Sequence, residues 1–247
     1  MAIIEVPYHL DEYLPDLKLP RRPDEGGAVV TAELPPGDPW GRLAVLYENL
    51  AQSVAARAGE GEVTVLSGDC AASLGTMAGL QRAGLSPGII WLDAHGDVQT
   101  PETTPSGYLA GMPLRLLAGY RPELISAALG LTPVPEQRIV LAGARDLDPP
   151  EEAYLAGSLI TTCEVADLAD AKLPEGPLYL HVDVDVIDPA DLPGLRFPAP
   201  AGPTLAVVAG AINSLRATGR VAAIGLACSW LPGNSEAPAL LQELINR

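Results

Sequence analysis

Residues 178–189 read LYLHVDVDVIDP, an apolar run that closes on Asp183, Asp185 and Asp188. Residues 89–97, IIWLDAHGD, repeat the arrangement with Asp93, His95 and Asp97, and residues 63–70, VTVLSGDC, end on Asp69 and Cys70. Runs that are apolar at nearly every position, rather than at every second one, suit strands covered on both faces. Similar short runs rich in Ile, Val and Leu lie at 3–6, 138–142, 158–161 and 221–226. Between them, Leu43, Leu46, Leu50 and Val54 recur at helical spacing, as do Leu205, Val208, Ile212 and Leu215 behind a Thr204 suited to capping. Strands alternating with helices predict an α/β fold with a mostly parallel central sheet and helices on both faces. In such sheets ligands bind beyond the carboxyl ends of the strands, which is where the polar residues of these three segments fall.

The chain has 247 residues, 48% of them hydrophobic, enough to bury a core without staples, so disorder is excluded and a single domain over 1–247 is expected. Its formal charge of -16 disfavours partners such as nucleic acid or an anionic membrane surface. No run of about 18 apolar residues suggests a membrane span, and the acidic opening MAIIEVPYHLDEYLPD does not resemble a secretory signal. Three widely spaced cysteines, Cys70, Cys163 and Cys228, suggest thiols in a reducing, cytoplasmic setting. No phosphate-cradling GxxxxGK and no GxGxxG after a strand is present, and GLSPG at 84–88 reads as a turn before its strand.

In DAHGD an extended backbone would carry Asp93, His95 and Asp97 on one side, and Asp183 and Asp185 share that spacing. Bare carboxylates facing one another repel strongly, and divalent cations are the natural remedy. Asp69 and Asp188 sit in loop-like contexts where turn chemistry explains them equally well.

These segments resemble the signatures of the arginase/agmatinase, or ureohydrolase, family: SGDCAAS, DAHGDVQTPETTPSGYLAGMP and HVDVDVIDP stand in family order, and the resemblance runs from Ser67 to about Pro232. It implies a three-layer α/β/α fold holding two Mn ions that activate a hydroxide against a guanidine carbon. It further implies that Asp93 and Asp183 bridge the ions, that His95 and Asp185 complete one, and that Asp97 binds the other and passes a proton to the leaving amine. Cys70 stands where the family has a metal-binding His. A thiolate there would draw that position toward Zn or Fe. Ala110 replaces the proton-shuttling His of the family loop, and Cys228 occupies the position of a Glu that holds the guanidinium. Cys228 is expected to fill space beside the pocket, a Cys70 to Cys228 disulfide being the lesser alternative, and Cys163 to be plain core.

GARDLDPPEE at 143–152 resembles the segment that receives the substrate α-amino group, so Asp148 and Glu151 take that expectation, although acids before and within a first helical turn are also ordinary caps. Gln99, Ser106 and Tyr108 match the α-carboxylate side, with Gln99 and Tyr108 departing from the family residues. His181 would lie deeper on the same strand side as Asp183, as an interior histidine, and His9 carries no assignment. The small-molecule substrate is then an amino acid. The cysteine in the first motif resembles the branch that hydrolyses Nω-hydroxy-L-arginine to hydroxyurea and L-ornithine in D-cycloserine biosynthesis, an antibiotic pathway. Arginine, agmatine or formiminoglutamate as substrate, and a catalytically silent binding subunit, stay open, as does assembly into a homo-oligomer.

Overall fold

The computed structural model of the protein describes residues 2–20, 27–231, 233–234 and 236–245, so Pro232, where the family resemblance ends, lies outside the described residues. In chain order the strands are β1 (Ala2–Val6), β2 (Tyr8–His9), β3 (Glu12–Tyr13), β4 (Gly27–Val29), β5 (Val63–Ser67), β6 (Gly88–Leu92), β7 (Ile139–Ala142), β8 (Thr161–Cys163), β9 (Leu178–Asp183) and β10 (Val221–Ala227). The helices are α1 (Pro39–Ala55), α2 (Ala72–Arg82), α3 (Pro113–Leu117), α4 (Pro149–Gly157), α5 (Leu205–Ala217) and α6 (Glu236–Ile245). Eight strands form one sheet in the order β4-β1-β5-β10-β9-β6-β7-β8, every pairing in it parallel. Among the described residues, the small β2–β3 pair and an isolated Leu195–Trp230 bridge are antiparallel.

The continuous apolar runs behave as their composition requires: every residue of β5, β6, β7 and β9 is buried. One core packs the sheet against α1 and α2 and holds Cys70; the other lies against α5 and α6 and holds Cys228. Each fully buried aliphatic side chain contributes roughly 1.5–3 kcal/mol relative to exposure, and these cores offset the cost of the carboxylates they surround. Thr204 caps α5, its hydroxyl accepting from the Val207 amide at 3.3 Å. Gly79 lets α2 approach α1, since a Cβ there would lie 2.5 Å from that of Val54.

Two expectations need correction. The run at 158–161 is not a strand: Ser158 caps the end of α4, its hydroxyl bound to the Leu155 carbonyl, and the edge strand β8 starts only at Thr161. As a result Cys163 ends an edge strand half-buried rather than sitting in plain core. All three cysteines are free, and Cys70 and Cys228 belong to opposite cores, which removes the disulfide alternative.

Candidate metal centre and its cavity

The sheet order makes β5, β10, β9 and β6 four neighbours, and the polar residues gather where these strands end. Asp93 follows β6, Asp183 is the last residue of β9, and Cys70 follows β5 across a turn. The alternation expected of an extended DAHGD does not persist, because the strand stops at Leu92 and Asp97 adopts a left-handed backbone (φ 53°). Asp185 likewise lies in a short 3-10 turn, not on a strand. The side chains converge through these turns, which Asp93 and Asp183 brace by accepting from the amides of His95 (2.8 Å) and Asp185 (3.0 Å).

Two groups of ligand-type atoms result, each drawn together within 4.8 Å: Cys70, Asp93 and Asp97 in one, and Asp93, His95 and Asp185 in the other. Asp93 belongs to both. Its Oδ2 accepts from the Trp91 indole at 3.0 Å, and the His95 Nδ1 lies 3.4 Å from its Oδ1 and 3.2 Å from Asp185 Oδ2. Asp183 stands beside both groups without belonging to either: its Oδ2 accepts from the Cys70 thiol at 2.9 Å and its Oδ1 from the Ser229 hydroxyl at 2.7 Å. Asp97 Oδ2 is buried without a hydrogen-bond partner among the described residues. A soft thiol, one imidazole and four acids, one of them holding an orphaned oxygen, are a donor set that fits divalent cations.

The electrostatics lead to the same conclusion. Burial, reinforced by neighbouring carboxylates, pushes Asp97 and Asp183 well above the usual carboxylate range, and carries Asp185 to about 6. Burial alone would lower His95, but bonds to Asp185 and Asp93 hold it at about 12, and those bonds leave Asp93 below its ordinary value. The Cys70 thiol is raised by burial and by Asp183, Asp97 and Asp93, so a cation must displace its proton.

Without cations, the folded chain therefore holds more protons than the unfolded one above the ordinary carboxylate range. The carboxylate penalty grows as pH rises above 3.8, the stabilisation from His95 is complete below 6.5 and fades toward 12, and that from Asp93 is fully present above 3.8 and lost only as pH falls below it, so it adds no slope in this interval. Stability with a chelator should fall with rising pH, by roughly 2 kcal/mol or about 5 °C in Tm between about pH 5 and pH 8. Saturating divalent cation should flatten that slope. Thermal melts in which the chelated protein gains stability over this interval would contradict the account.

Above the cluster opens a cavity of about 640 Å³ whose lining includes Cys70, His95, Asp97, Asp183 and Asp185, together with Gln99, Ser106, Tyr108, Ala110, Asp148 and Glu151. Cys228 is not in that lining. It is 1% exposed and turned into the α5–α6 core, whereas the next residue, Ser229, reaches the cavity. Gln99 donates to Asp148 Oδ2 at 2.8 Å. Glu151 Oε2 accepts from the Asp148 amide and Oε1 from the Val98 amide, so this acid braces the start of α4 as well as facing the cavity. Asp69 and Asp188 are turn formers: Asp69 accepts from the Leu10 and Ala71 amides, Asp188 from those of Ala190 and Gly202.

His181 stacks on Trp91 with ring centroids 3.7 Å apart and meets the Tyr179 hydroxyl at 3.2 Å; burial lowers it to about 3, so it is neutral. Its Nε2 has no partner among the described residues.

Four residues that the sequence left without a role complete the site: Trp91 and Ser229, which hold Asp93 and Asp183, and His9 and Phe197. The Tyr108 ring lies 5.1 Å from that of Phe197, the chain's single phenylalanine. The Tyr108 hydroxyl meets His9 Nε2 at 3.2 Å. Gly68 admits this arrangement, because a Cβ there would lie 2.3 Å from the Tyr8 carbonyl oxygen. No motif marks His9; only the fold of β2 over the sheet end brings it here.

An entirely parallel α/β sheet with a buried cluster of acids, imidazole and thiol at its carboxyl edge defines the class. The chain is a member of the arginase family, whose profile matches residues 9–228. Among curated relatives, the arginase of Bacillus subtilis (strain 168) is 36% identical over 151 residues, 56% of this chain and 51% of the relative. The arginase of Bacillus caldovelox is 34% identical over 154 residues, 57% and 52%. The chain thus spans about half the length of the curated relatives it matches. Among solved structures, the arginase of Entamoeba histolytica, in complex with L-ornithine, superposes with a TM-score of 0.82 at 19% identity, over 100% of this chain and 98% of that one. Formimidoylglutamase from Bacillus subtilis subsp. subtilis str. 168 superposes with a TM-score of 0.71 at 15% identity, over 99% and 84%. These structural likenesses establish the fold. Among the described residues, no helix is long and apolar enough to cross a membrane.

Proposed function

We propose that this chain is a dinuclear-metal hydrolase that cleaves a guanidine-type C–N bond of an amino acid, with Nω-hydroxy-L-arginine as the preferred substrate and hydroxyurea and L-ornithine as products. The observation that carries the reading is Asp93, shared between two adjacent ligand groups at the floor of a substrate-sized cavity. Cys70, Asp93 and Asp97 would hold one cation and Asp93, His95 and Asp185 the other, with Asp183 free to join both once Cys70 loses its proton. Mn is the expected metal from the family, and the Cys70 thiolate favours Zn or Fe at its own position. Bound there, paired cations lower the pKa of a shared water and stabilise charge developing at the guanidine carbon.

The remaining work belongs to side chains. Water adds to the guanidine carbon, the bond from that carbon to the side-chain nitrogen breaks, and the departing amine needs a proton. We assign its delivery to Asp97, whose Oδ2 is buried without a partner among the described residues and whose carboxyl is raised by burial and by the neighbouring Asp93 and Asp183. Asp148, steadied by Gln99, faces the cavity as an acceptor for an α-ammonium group, with Glu151 behind it; Ser106 faces the same cavity and is assigned to the α-carboxylate.

Tyr108 supports the finer choice of substrate. His9 Nδ1 lies 3.1 Å from the Gly68 carbonyl oxygen, which can only accept, so Nδ1 carries the hydrogen and Nε2 accepts from the Tyr108 hydroxyl. The Tyr108 oxygen is left with lone pairs alone to offer the cavity, and burial with nearby Asp69 keeps the phenol protonated. An N-hydroxyl is a donor suited to it. Tyr108→Phe should lower kcat/KM for hydroxyarginine by about tenfold, the worth of one net hydrogen bond, and change arginine turnover less. Equal losses on both substrates would remove Tyr108 from substrate discrimination.

The test of the whole reading is a panel of arginine, hydroxyarginine, agmatine and formiminoglutamate offered to Mn-loaded protein, with product amine measured. Turnover of none, with two metals bound, would turn the reading toward a silent binding subunit. The pathway that follows from hydroxyarginine is antibiotic biosynthesis of the D-cycloserine type, and three free cysteines fit a cytoplasmic location.

A further inference from the structure

Arg145 follows β7 in the turn that leads to Asp148, and its guanidinium is spent on backbone. Nε donates to the Pro200 carbonyl at 3.1 Å, Nη1 to that of Gly143 at 3.1 Å, and Nη2 to those of Ala199 at 2.8 Å and Asp185 at 3.2 Å. The side chain is half-buried, and among the described residues it makes no ion pair. A charge withdrawn from water and matched only by carbonyl dipoles is costly to keep. What it gains is reach, because its rigid fork of donors can join several chain segments at once.

The segments it joins are those of one ligand group. The Arg145 and Asp146 amides both donate to the Ala94 carbonyl, at 2.8 and 2.9 Å, inside the turn that carries Asp93 and His95. The same residue's guanidinium holds the carbonyl of Asp185 and the two carbonyls of residues 199–200. No printed bond of Arg145 runs to the segment that carries Cys70. Beyond Pro200 the backbone is forced: Ala201 is left-handed at φ 62°, and the next amide, Gly202, donates to Asp188 Oδ2 at 3.0 Å. Such a conformation persists only where its surroundings over-determine it. Gly202 leaves room for the guanidinium, since a Cβ there would lie 2.5 Å from Arg145 Nη2 and 2.8 Å from the Val186 carbonyl oxygen. Phe197, two residues before Ala199, meets His95 edge-on with ring centroids 6.4 Å apart, so the fixed segment also borders the centre from the cavity side.

We infer that Arg145 is a positioning residue for the cation assigned to Asp93, His95 and Asp185: by tying the Ala94, Asp185 and Ala199 carbonyls together it sets where His95 and Asp185 stand relative to each other. The inference rests on the dinuclear reading proposed above. Two opposed effects decide its sign. A guanidinium repels a cation bound nearby, so if charge alone mattered its removal would tighten binding. Loss of the tie would instead free the Asp185 turn and weaken it. Groups that orient metal ligands from behind are worth roughly 10–100-fold in affinity, so the tie is expected to win.

The test titrates the full chain, first stripped with a chelator, with Mn(II) and Co(II), followed by calorimetry and, for Co(II), by the thiolate-to-metal absorption band that marks the Cys70 position. The unaltered chain should take two ions. Arg145→Gln should weaken one of them at least about tenfold and leave the thiolate band within about twofold of its original midpoint. Arg145→Lys, which keeps the charge but offers one nitrogen to four carbonyls, should fall between the two. Gly202→Ala keeps the charge and displaces the guanidinium, and should weaken the same ion. Thermal melts in chelator report folding separately, because a merely structural role would lower Tm and weaken both ions together. Both ions held by Arg145→Gln as tightly as before, tighter binding of either, or equal weakening of both would overturn the inference. An unaltered chain that takes fewer than two ions would overturn the dinuclear reading, and this inference with it.

Discussion

Asp93→Ala is expected to lower the metal content of Mn-loaded protein from two ions per chain to fewer than one, and kcat/KM by at least about 10³-fold. The loss corresponds to about 4 kcal/mol, a modest share of what paired cations contribute to hydrolysis. The effect should be the largest of any single ligand because Asp93 alone among the described residues belongs to both ligand groups. His95, at the solvent side with 28% exposure, should cost mainly one ion when replaced by Ala. Removing the Asp93 carboxylate also strands the Trp91 indole, at about 1–3 kcal/mol, so Asp93→Asn, which keeps an acceptor for Trp91, separates metal loss from lost stability. Elemental analysis decides it: two ions per chain in both variants would dissolve the bridging role. X-ray absorption on the loaded protein should also show metal–sulfur scattering from Cys70.

The second large effect is substrate choice. Hydroxyarginine should exceed arginine in kcat/KM by at least about 100-fold, or about 2.7 kcal/mol of transition-state discrimination. A guanidinium stays protonated through the working range, so its hydrolysis profits from a carboxylate that holds the cation and a histidine that relays protons. N-hydroxylation makes the group less basic and supplies the neutral form near neutral pH. Here Ala110 faces the cavity in place of the family histidine, and Cys228 is buried in the core beneath it. The placement of Cys228 also redirects the engineering test. A Glu at that position would be a buried, unpaired charge, costly to the fold rather than useful to substrate. Ala110→His, which adds its imidazole inside the cavity, should instead narrow the gap in favour of arginine by about tenfold or more. Asp148→Ala should weaken both amino-acid substrates and spare agmatine, which has no α-ammonium partner for it. Equal rates on arginine and hydroxyarginine, or faster turnover of agmatine than of either, would refute the substrate assignment.

Much of this was legible in the residues themselves. Apolar runs ending in acids marked β5, β6 and β9 and placed Cys70, Asp93, His95, Asp97, Asp183 and Asp185 at strand ends, because burial on both faces leaves a strand few polar residues until it emerges. Such patterns are local and survive without coordinates. Three features depended on chain segments far apart in sequence meeting across the sheet. Cys70 and Asp183, 113 residues apart, touch because β10 alone separates β5 from β9. His9 reaches Tyr108 across 99 residues. Whether Cys228 or Ser229 faces the cavity turned on which way the chain leaves β10, a choice of one residue that reverses a side chain's face. Composition and spacing state what a segment can bury or bind; only the packed sheet decides which segments share a site, because that choice is made by contacts between residues the sequence keeps apart.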